Sequence, residues 1–309
     1  MNILVTGGAG YIGTTLVPML LAKGHEVTVF DRLLWRGDVL IPFFRNPRFH
    51  FIKGDVRDEK AVYDACTGKD VVIHLAAIVG LPACAADPKL AQETNYEGSV
   101  NVGRACQRGQ HVLYGSTGSN YGEVLTGVCT EETPLKPLSV YGTTKTDAER
   151  YLMATTECTA FRFATAFGLS PRLRLDLLVN DVTTQAVNSK FSVIYEAWFR
   201  RTFIHVHDMA RAFLFAIEHR AEMQGQVYNV GSEVLNHSKR DICDMIQKKT
   251  GAYFHYAEVG SDGDKRNYSV SYEKIKRLGY ETTISVEQGI DELVKAMPAI
   301  KILNPYANV

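Results

Sequence analysis

The sequence predicts an α/β fold, a doubly wound parallel sheet that carries a smaller α+β lobe. Three observations lead there. Short apolar runs alternate with helical patterns through the first half of the 309 residues, the signature of βαβ units with a sheet covered on both faces. A glycine-rich turn separates the first apolar run from the first helix. Beyond about residue 237 the alternation fades into two helical stretches with little continuous strand.

The elements follow in order. Ile3-Leu4-Val5 is a buried strand, Val27-Thr28-Val29-Phe30 a second, Phe49-His50-Phe51-Ile52 a third, and the run from Val71 to Leu75 a fourth. Val112-Leu113-Tyr114 is a fifth and the run from Cys158 to Phe163 a sixth. Helices are expected at about 11–23, 58–66, 88–108 and 139–156. Leu173 to Asn188 reads as a helix, Thr202 to Val206 as a strand, Asp208 to His219 as a helix and Val227 to Val230 as a strand. Helices at 239–250 and 286–297 complete the chain. The expected division is a first domain over 1–165, to which 201–231 returns, and a second lobe from 166–200 and 232–309.

Composition narrows the class. The hydrophobic fraction of 46% is enough for a sizeable core. Lys plus Arg and Asp plus Glu are 34 each, a balance that argues against a protein that coats nucleic acid. Six scattered cysteines without a C-x-x-C pair read as free thiols of a reducing compartment. The first residues enter a strand pattern at once, and no apolar run reaches the roughly 18 residues that span a bilayer. A cytoplasmic protein without membrane or nucleic-acid partners is expected.

The turn Thr6-Gly7-Gly8-Ala9-Gly10-Tyr11-Ile12-Gly13 spaces its glycines G-x-x-G-x-x-G between a strand and a helix. Glycine permits the tight turn and lets backbone N–H groups approach a pyrophosphate, which the helix N-terminus also attracts. Asp31 ends the second strand, 18 residues after Gly13. A carboxylate there accepts from ribose hydroxyls and repels a 2′-phosphate, which favours NAD over NADP. Arg32 beside it is a guanidinium that could hold that phosphate. Gly7, Gly10, Tyr11, Ile12 and Asp31 are therefore candidate cofactor residues. Asp55-Val56 and Leu75-Ala76-Ala77, at the carboxyl ends of the third and fourth strands, join them.

Tyr141 and Lys145 lie four residues apart, on one face of a helix. A nearby ammonium favours the phenolate and lowers a phenol's pKa from about 10. A tyrosinate can then take a hydroxyl proton while hydride leaves the same carbon for a nicotinamide. Lys145 can also reach the nicotinamide ribose. The loop Ser116 to Gly122, after the fifth strand, offers hydroxyls for the reacting oxygen.

Together these elements resemble the extended short-chain dehydrogenase/reductases, in the branch of sugar-nucleotide epimerases and dehydratases. The resemblance is carried by TGGAGYIG at 6–13, GDV at 54–56, HLAA at 74–77, STGSNYG at 116–122 and YGTTK at 141–145. FRFATAFG at 161–168, RRTFIHVHDMARAF at 200–213 and DKRNYSVSYEKIKRLGY at 264–280 extend it over nearly the whole chain. It implies a Rossmann-type domain with NAD, a nucleotide-sugar substrate, and often a homodimer through a four-helix interface. It implies Thr117 as the catalytic hydroxyl, Tyr141 as base with Lys145 its partner, and Arg201 and Arg266 as a diphosphate clamp. Asn180 is a further candidate at the diphosphate. Thr165 stands where the family usually has a sugar-contacting Asn.

Departures from the pattern narrow the reaction. The 4,6-dehydratases carry Asp-Glu where this chain has Gly118-Ser119, and the 3,5-epimerases carry Cys at the position of Ser119. What remains is 4-epimerisation, net 4-oxidation or keto-sugar reduction, with 4-epimerisation leading. The segment SPRLRLDLLVNDV also resembles GDP-heptose 4-dehydrogenase-like members. A non-catalytic dinucleotide-binding protein is the competing class, but such proteins usually lose the Tyr or the Lys. His205 and His207 read as part of a structural strand with no third ligand, so no metal is expected. Cys84 reads as a loop thiol, and Trp35, Phe43 and Phe44 as packing under the loop after the second strand.

Overall fold

The structure, a computed structural model, describes residues 1–122, 127–258 and 269–300. Fourteen strands are described: β1 (Asn2–Thr6), β2 (Glu26–Asp31), β3 (Phe49–Lys53), β4 (Val71–His74), β5 (His111–Thr117), β6 (Val128–Cys129), β7 (Glu157–Phe163), β8 (Thr165–Phe167), β9 (Phe191–Tyr195), β10 (Arg200–His205), β11 (Val227–Val230), β12 (Asn236–Ser238), β13 (Tyr253–Ala257) and β14 (Ser269–Val270). Seven of them form one sheet in the order β11-β7-β5-β4-β1-β2-β3, and every pairing in it is parallel. This is the Rossmann-type, doubly wound sheet expected from the sequence.

Its two faces explain the apolar runs. Along β1, Ile3 and Val5 enter a core that includes Leu16, Leu20 and Phe213, and Leu4 enters a second with Phe30, Val62 and Val102. Successive side chains of a strand point to opposite faces, so a strand buried on both faces must be apolar throughout. The order reverses between β1 and β4. Ligands of such sheets bind outside the carboxyl ends of the strands at that switch point.

The helix expected over 88–108 is broken into Pro88–Ala91, a π-helical turn Gln92–Glu97 and Gly98–Ala105. The buried Asn95 amide accepts from Ile78 N–H at 2.7 Å and donates to Ile78 O at 2.9 Å. At Gly98 the chain passes so near Val56 that an added Cβ would lie 2.6 Å from its Cγ2. Such local widening of a helix is frequent at functional sites.

The smaller lobe has its own core, which includes Phe167, Val179, Phe203, Ile242 and Ile290. Its sheet runs β12-β10-β8. β10 pairs with β8 in parallel and β12 antiparallel, and it serves both cores, Phe203 entering this one and Ile204 the first. The helix after it, Val206–Glu218, does return, placing Phe213 and Ile217 in the first core. Ile275 and Tyr280, expected in the second lobe, also pack there, and Tyr280 Oη donates to Asp208 O at 2.6 Å. β9 and β13 form a parallel pair that the sequence reading did not assign.

Three local expectations change. The Cys84 loop is a short helix, Leu81–Ala86, entered through Gly80 at φ 90°. His205 ends β10 and caps the following helix, its Nδ1 accepting from His207 N–H at 3.2 Å. His207 therefore begins a helix rather than sharing a strand face. Phe43 packs against the first core, but Phe44 is 59% and Trp35 43% exposed. Among the described residues no helix is long and apolar enough to cross a membrane.

Candidate active site

The glycine turn is held by close backbone contact. Gly7 adopts φ 70° and donates its N–H to Phe30 O at 2.9 Å. A Cβ added at Gly7 would lie 2.6 Å from Ala76 N, and one at Gly13 2.5 Å from Gly8 Cα. The turn is thus a cradle that side chains would fill, leaving backbone to face the start of helix Gly13–Ala22. Beside it opens a cleft of about 470 Å³, lined by Gly7, Gly10, Tyr11, Ile12, Asp31, Asp55, Val56, Leu75, Ala76 and Ala77 among others.

Asp31 accepts from Ala9 N–H at 3.0 Å and Leu33 N–H at 2.7 Å. Burial raises its carboxyl against those hydrogen bonds. Its place at the end of β2 and the cradle beside it fit the adenosine half of NAD. Arg32 is committed elsewhere, to Asp55 at 3.1 Å. Burial opposes the Asp55 charge, but hydrogen bonds from Arg57 and Arg32 outweigh it and hold the carboxyl at about 2. Tyr11 donates its hydroxyl to Gly168 O at 2.7 Å and so ties the cradle to the chain entering the smaller lobe.

Helix Val140–Thr155 carries Tyr141 and Lys145. Ser139 caps it, accepting from Gly142 N–H at 3.1 Å. Tyr141 and Lys145 both line the cleft, as do Ser116 and Thr117 at the end of β5 and Ser119 in the turn after it. Tyr141 packs against the cluster of Ile78, Cys84 and Ala91. Lys145 is only 3% exposed, and its Nζ lies 4.0 Å from the Tyr114 ring centroid. Burial brings this ammonium down to about 7, against the opposing charge of Glu149. The Thr117 hydroxyl donates to Ser119 Oγ and accepts from Ser119 N–H, both at 3.2 Å. Cys84 is a buried thiol bonded to Ile78 O at 3.2 Å, raised by burial to about 11.

Residues expected at the substrate divide. Thr165 lines the cleft and also a small adjoining cavity, which is lined by Gly118, Arg201, Thr202 and Tyr272. Arg201 therefore adjoins the cleft through Thr165. Asn180 does not reach it. Its amide is fully buried, accepting from Gly168 N–H at 2.9 Å and donating to Arg174 O at 2.9 Å. It ties Gly168 and Arg174 to the helix Leu178–Asn188. Arg266 lies outside the described residues.

The structure adds residues that the sequence reading missed. The helix expected from Leu173 starts only at Leu178, and the segment before it lays Arg172 and Arg174 along the cleft. Arg174 Nε and Nη2 donate to Asp176 at 3.0 and 2.6 Å. Arg172 stacks over the Trp35 ring at 5.1 Å. The R-x-R-x-D spacing at 172–176 was the available signal.

Known proteins resemble this chain in sequence and fold. The chain is 29% identical over 305 residues to the low-salt glycan biosynthesis protein Agl12 of Haloferax volcanii, covering 95% of this chain and 97% of that protein. It is 28% identical to a dTDP-glucose 4,6-dehydratase of Streptomyces niveus, over 96% and 92% of the two chains. A structure of UDP-glucuronic acid 4-epimerase from Bacillus cereus, in complex with UDP-glucuronic acid and NAD, superposes with a TM-score of 0.88 at 26% identity, covering 97% of this chain and 99% of the other. The NAD dependent epimerase/dehydratase profile matches residues 3–231. With its glycine cradle, its Tyr141–Lys145 helix and that match, the chain belongs to the NAD dependent epimerase/dehydratase family of extended short-chain dehydrogenase/reductases, enzymes whose cofactor is NAD.

Proposed function

We propose that this enzyme is a sugar-nucleotide 4-epimerase that works through a 4-keto sugar. One observation carries the choice. The only carboxylates among the described lining residues are Asp31 and Asp55, on β2 and after β3, whereas Tyr141, Lys145 and Thr117 are flanked by hydroxyls and by Gly118. Losing water from the sugar requires an acid to protonate the departing oxygen. Among the described residues that line the cleft, no carboxyl group stands beside Thr117 to do this.

The residues divide the work. The cradle from Gly7 to Gly13 and Asp31 hold NAD, which when bound supplies a hydride acceptor and donor. Tyr141 takes the C4 hydroxyl proton, and the Lys145 ammonium on the same helix face favours its phenolate. Thr117 lies at the end of β5, where its hydroxyl can bond the same oxygen. Arg201, with Arg266, binds the diphosphate as bidentate guanidinium partners. Anchoring at the diphosphate leaves the sugar free to turn over between the two halves of the reaction. Thr165, smaller than the usual Asn, leaves additional room there.

Incubation with UDP-, GDP-, CDP- and dTDP-sugars tests this. C4-inverted product without net NADH is expected, and Tyr141→Phe lowers kcat at least about 100-fold. Net NADH without inversion would support a 4-dehydrogenase instead. Activity undiminished in Tyr141→Phe would end the catalytic account.

A further inference from the structure

Helix Val140–Thr155 presents a third group in line with Tyr141 and Lys145. Glu149 lies one turn further along and is only 2% exposed. Its Oε2 accepts from Ser116 Oγ at 2.5 Å and from Asn120 Nδ2 at 3.1 Å. Its Oε1 accepts from Arg162 Nη2 at 2.6 Å and Nε at 3.1 Å. Arg162 in turn donates to Tyr121 Oη at 3.1 Å and Glu131 O at 3.0 Å. Four donors from three residues hold this buried carboxyl group in one place.

We propose that Glu149 is the positioning residue of this site: it fixes Ser116 at the end of β5 and supplies the buried negative charge that keeps Lys145 an ammonium beside Tyr141. The inference rests on Tyr141 acting as the base. It explains how so buried a lysine can serve as a cation. Desolvation alone drives an enclosed lysine towards the neutral amine, and a neutral amine would not favour the phenolate.

The surroundings leave Glu149 as the group that opposes this. Tyr114 of β5 lies under Nζ. His74 of β4 stacks on Tyr114 at 5.7 Å and is kept neutral, burial holding it at about 3. Cys84, from helix Leu81–Ala86, is a protonated thiol. Arg174 is a cation that faces Tyr141 and Tyr11, and Arg162 pairs with Glu149 from β7. Among these groups Glu149 is the anion. It does not line the cleft, so its influence passes through charge and through Ser116.

Removing a buried negative charge lowers the pKa of every neighbouring group, acid or base, and removing a positive one raises it. The test therefore pairs Glu149→Gln with Arg162→Met in the full chain. The pH profile of kcat/KM is one readout. The other is tyrosinate ultraviolet absorbance without substrate, taken in each background as the difference from its Tyr141→Phe counterpart. For Glu149→Gln, both limbs of the profile and the Tyr141 titration move down by about one pH unit, with KM little changed. Arg162→Met moves them up, and Glu149→Asp restores most of the wild-type profile. If Glu149→Gln does not fold, the double variant Glu149→Gln/Arg162→Met, which buries no unmatched charge, carries the test with a smaller downward shift. Limbs and titration that stay in place in all folded variants, whatever their activity, overturn the inference. A shifted titration in a protein that acts on no nucleotide sugar would instead overturn the proposed function.

Discussion

Lys145 makes the apo enzyme pay for its chemistry with stability, and Lys145→Met measures how much. Burial brings the ammonium from its ordinary 10.5 down to about 7. Below pH 7 both folded and unfolded chains bind the proton, and the fold bears the full cost of enclosing a cation. Between pH 7 and 10.5 only the unfolded chain remains protonated, so stability rises with pH across that window. At 1.36 kcal/mol per pKa unit the cost at pH 6 is roughly 5 kcal/mol. Methionine has a similar length and no charge, but it forfeits the cation–π contact with Tyr114, about 1–2 kcal/mol when desolvated. A net gain of about 3 kcal/mol is expected at pH 6, shrinking to about 2 kcal/mol at pH 9, where the folded-state amine is neutral and has no cation–π contact to lose. Urea unfolding of cofactor-free wild type and variant at both pH values reads the gap from the midpoints. A variant less stable than wild type at pH 6, or a gap that does not narrow on going to pH 9, would refute the buried-ammonium reading. The same variant should be inactive.

Two further outcomes follow from the cradle. Gly7→Ala forces a Cβ to within 2.6 Å of Ala76 N at φ 70°, so it should cost about 3 kcal/mol of stability and weaken NAD binding; calorimetric unfolding and an NAD titration check both, and a variant of wild-type stability would show that the close approach is not real. Asp31→Ser removes the acceptor of Ala9 and Leu33 N–H and should weaken NAD about tenfold while narrowing its preference over NADP. An unchanged NAD to NADP affinity ratio by isothermal titration would contradict the ribose assignment.

Sequence reasoning reached the residues whose role is written in local spacing. The glycines at 7, 10 and 13 demand a tight turn wherever they fall between a strand and a helix, and Tyr141 and Lys145 share a helix face by geometry alone. It failed where a long-range contact overrode a local preference. Asn95 widens one helix through its amide bonds to Ile78. The segment before Leu178 stays irregular, with the Asn180 amide holding Arg174 O and the Arg174 side chain on Asp176. Glu149 shares the four-residue step of Tyr141 and Lys145, a visible signal, but a charged residue on a helix ordinarily reads as solvated. Asn180, a diphosphate candidate by resemblance, is fully enclosed, and such burial cannot be read from its neighbours in sequence.

The amino-acid sequence by itself determined the parallel sheet, the cofactor turn and the Tyr–Lys pair, because period-two burial, glycine stereochemistry and helical pitch act over a few residues. Only the tertiary structure decided which strands β10 pairs with, which of the polar side chains are enclosed, and hence what charge surrounds Lys145. Those depend on how distant segments remove water from one another. Solvent exclusion, and the electrostatics it strengthens, belongs to the packed chain and has no signature in local spacing.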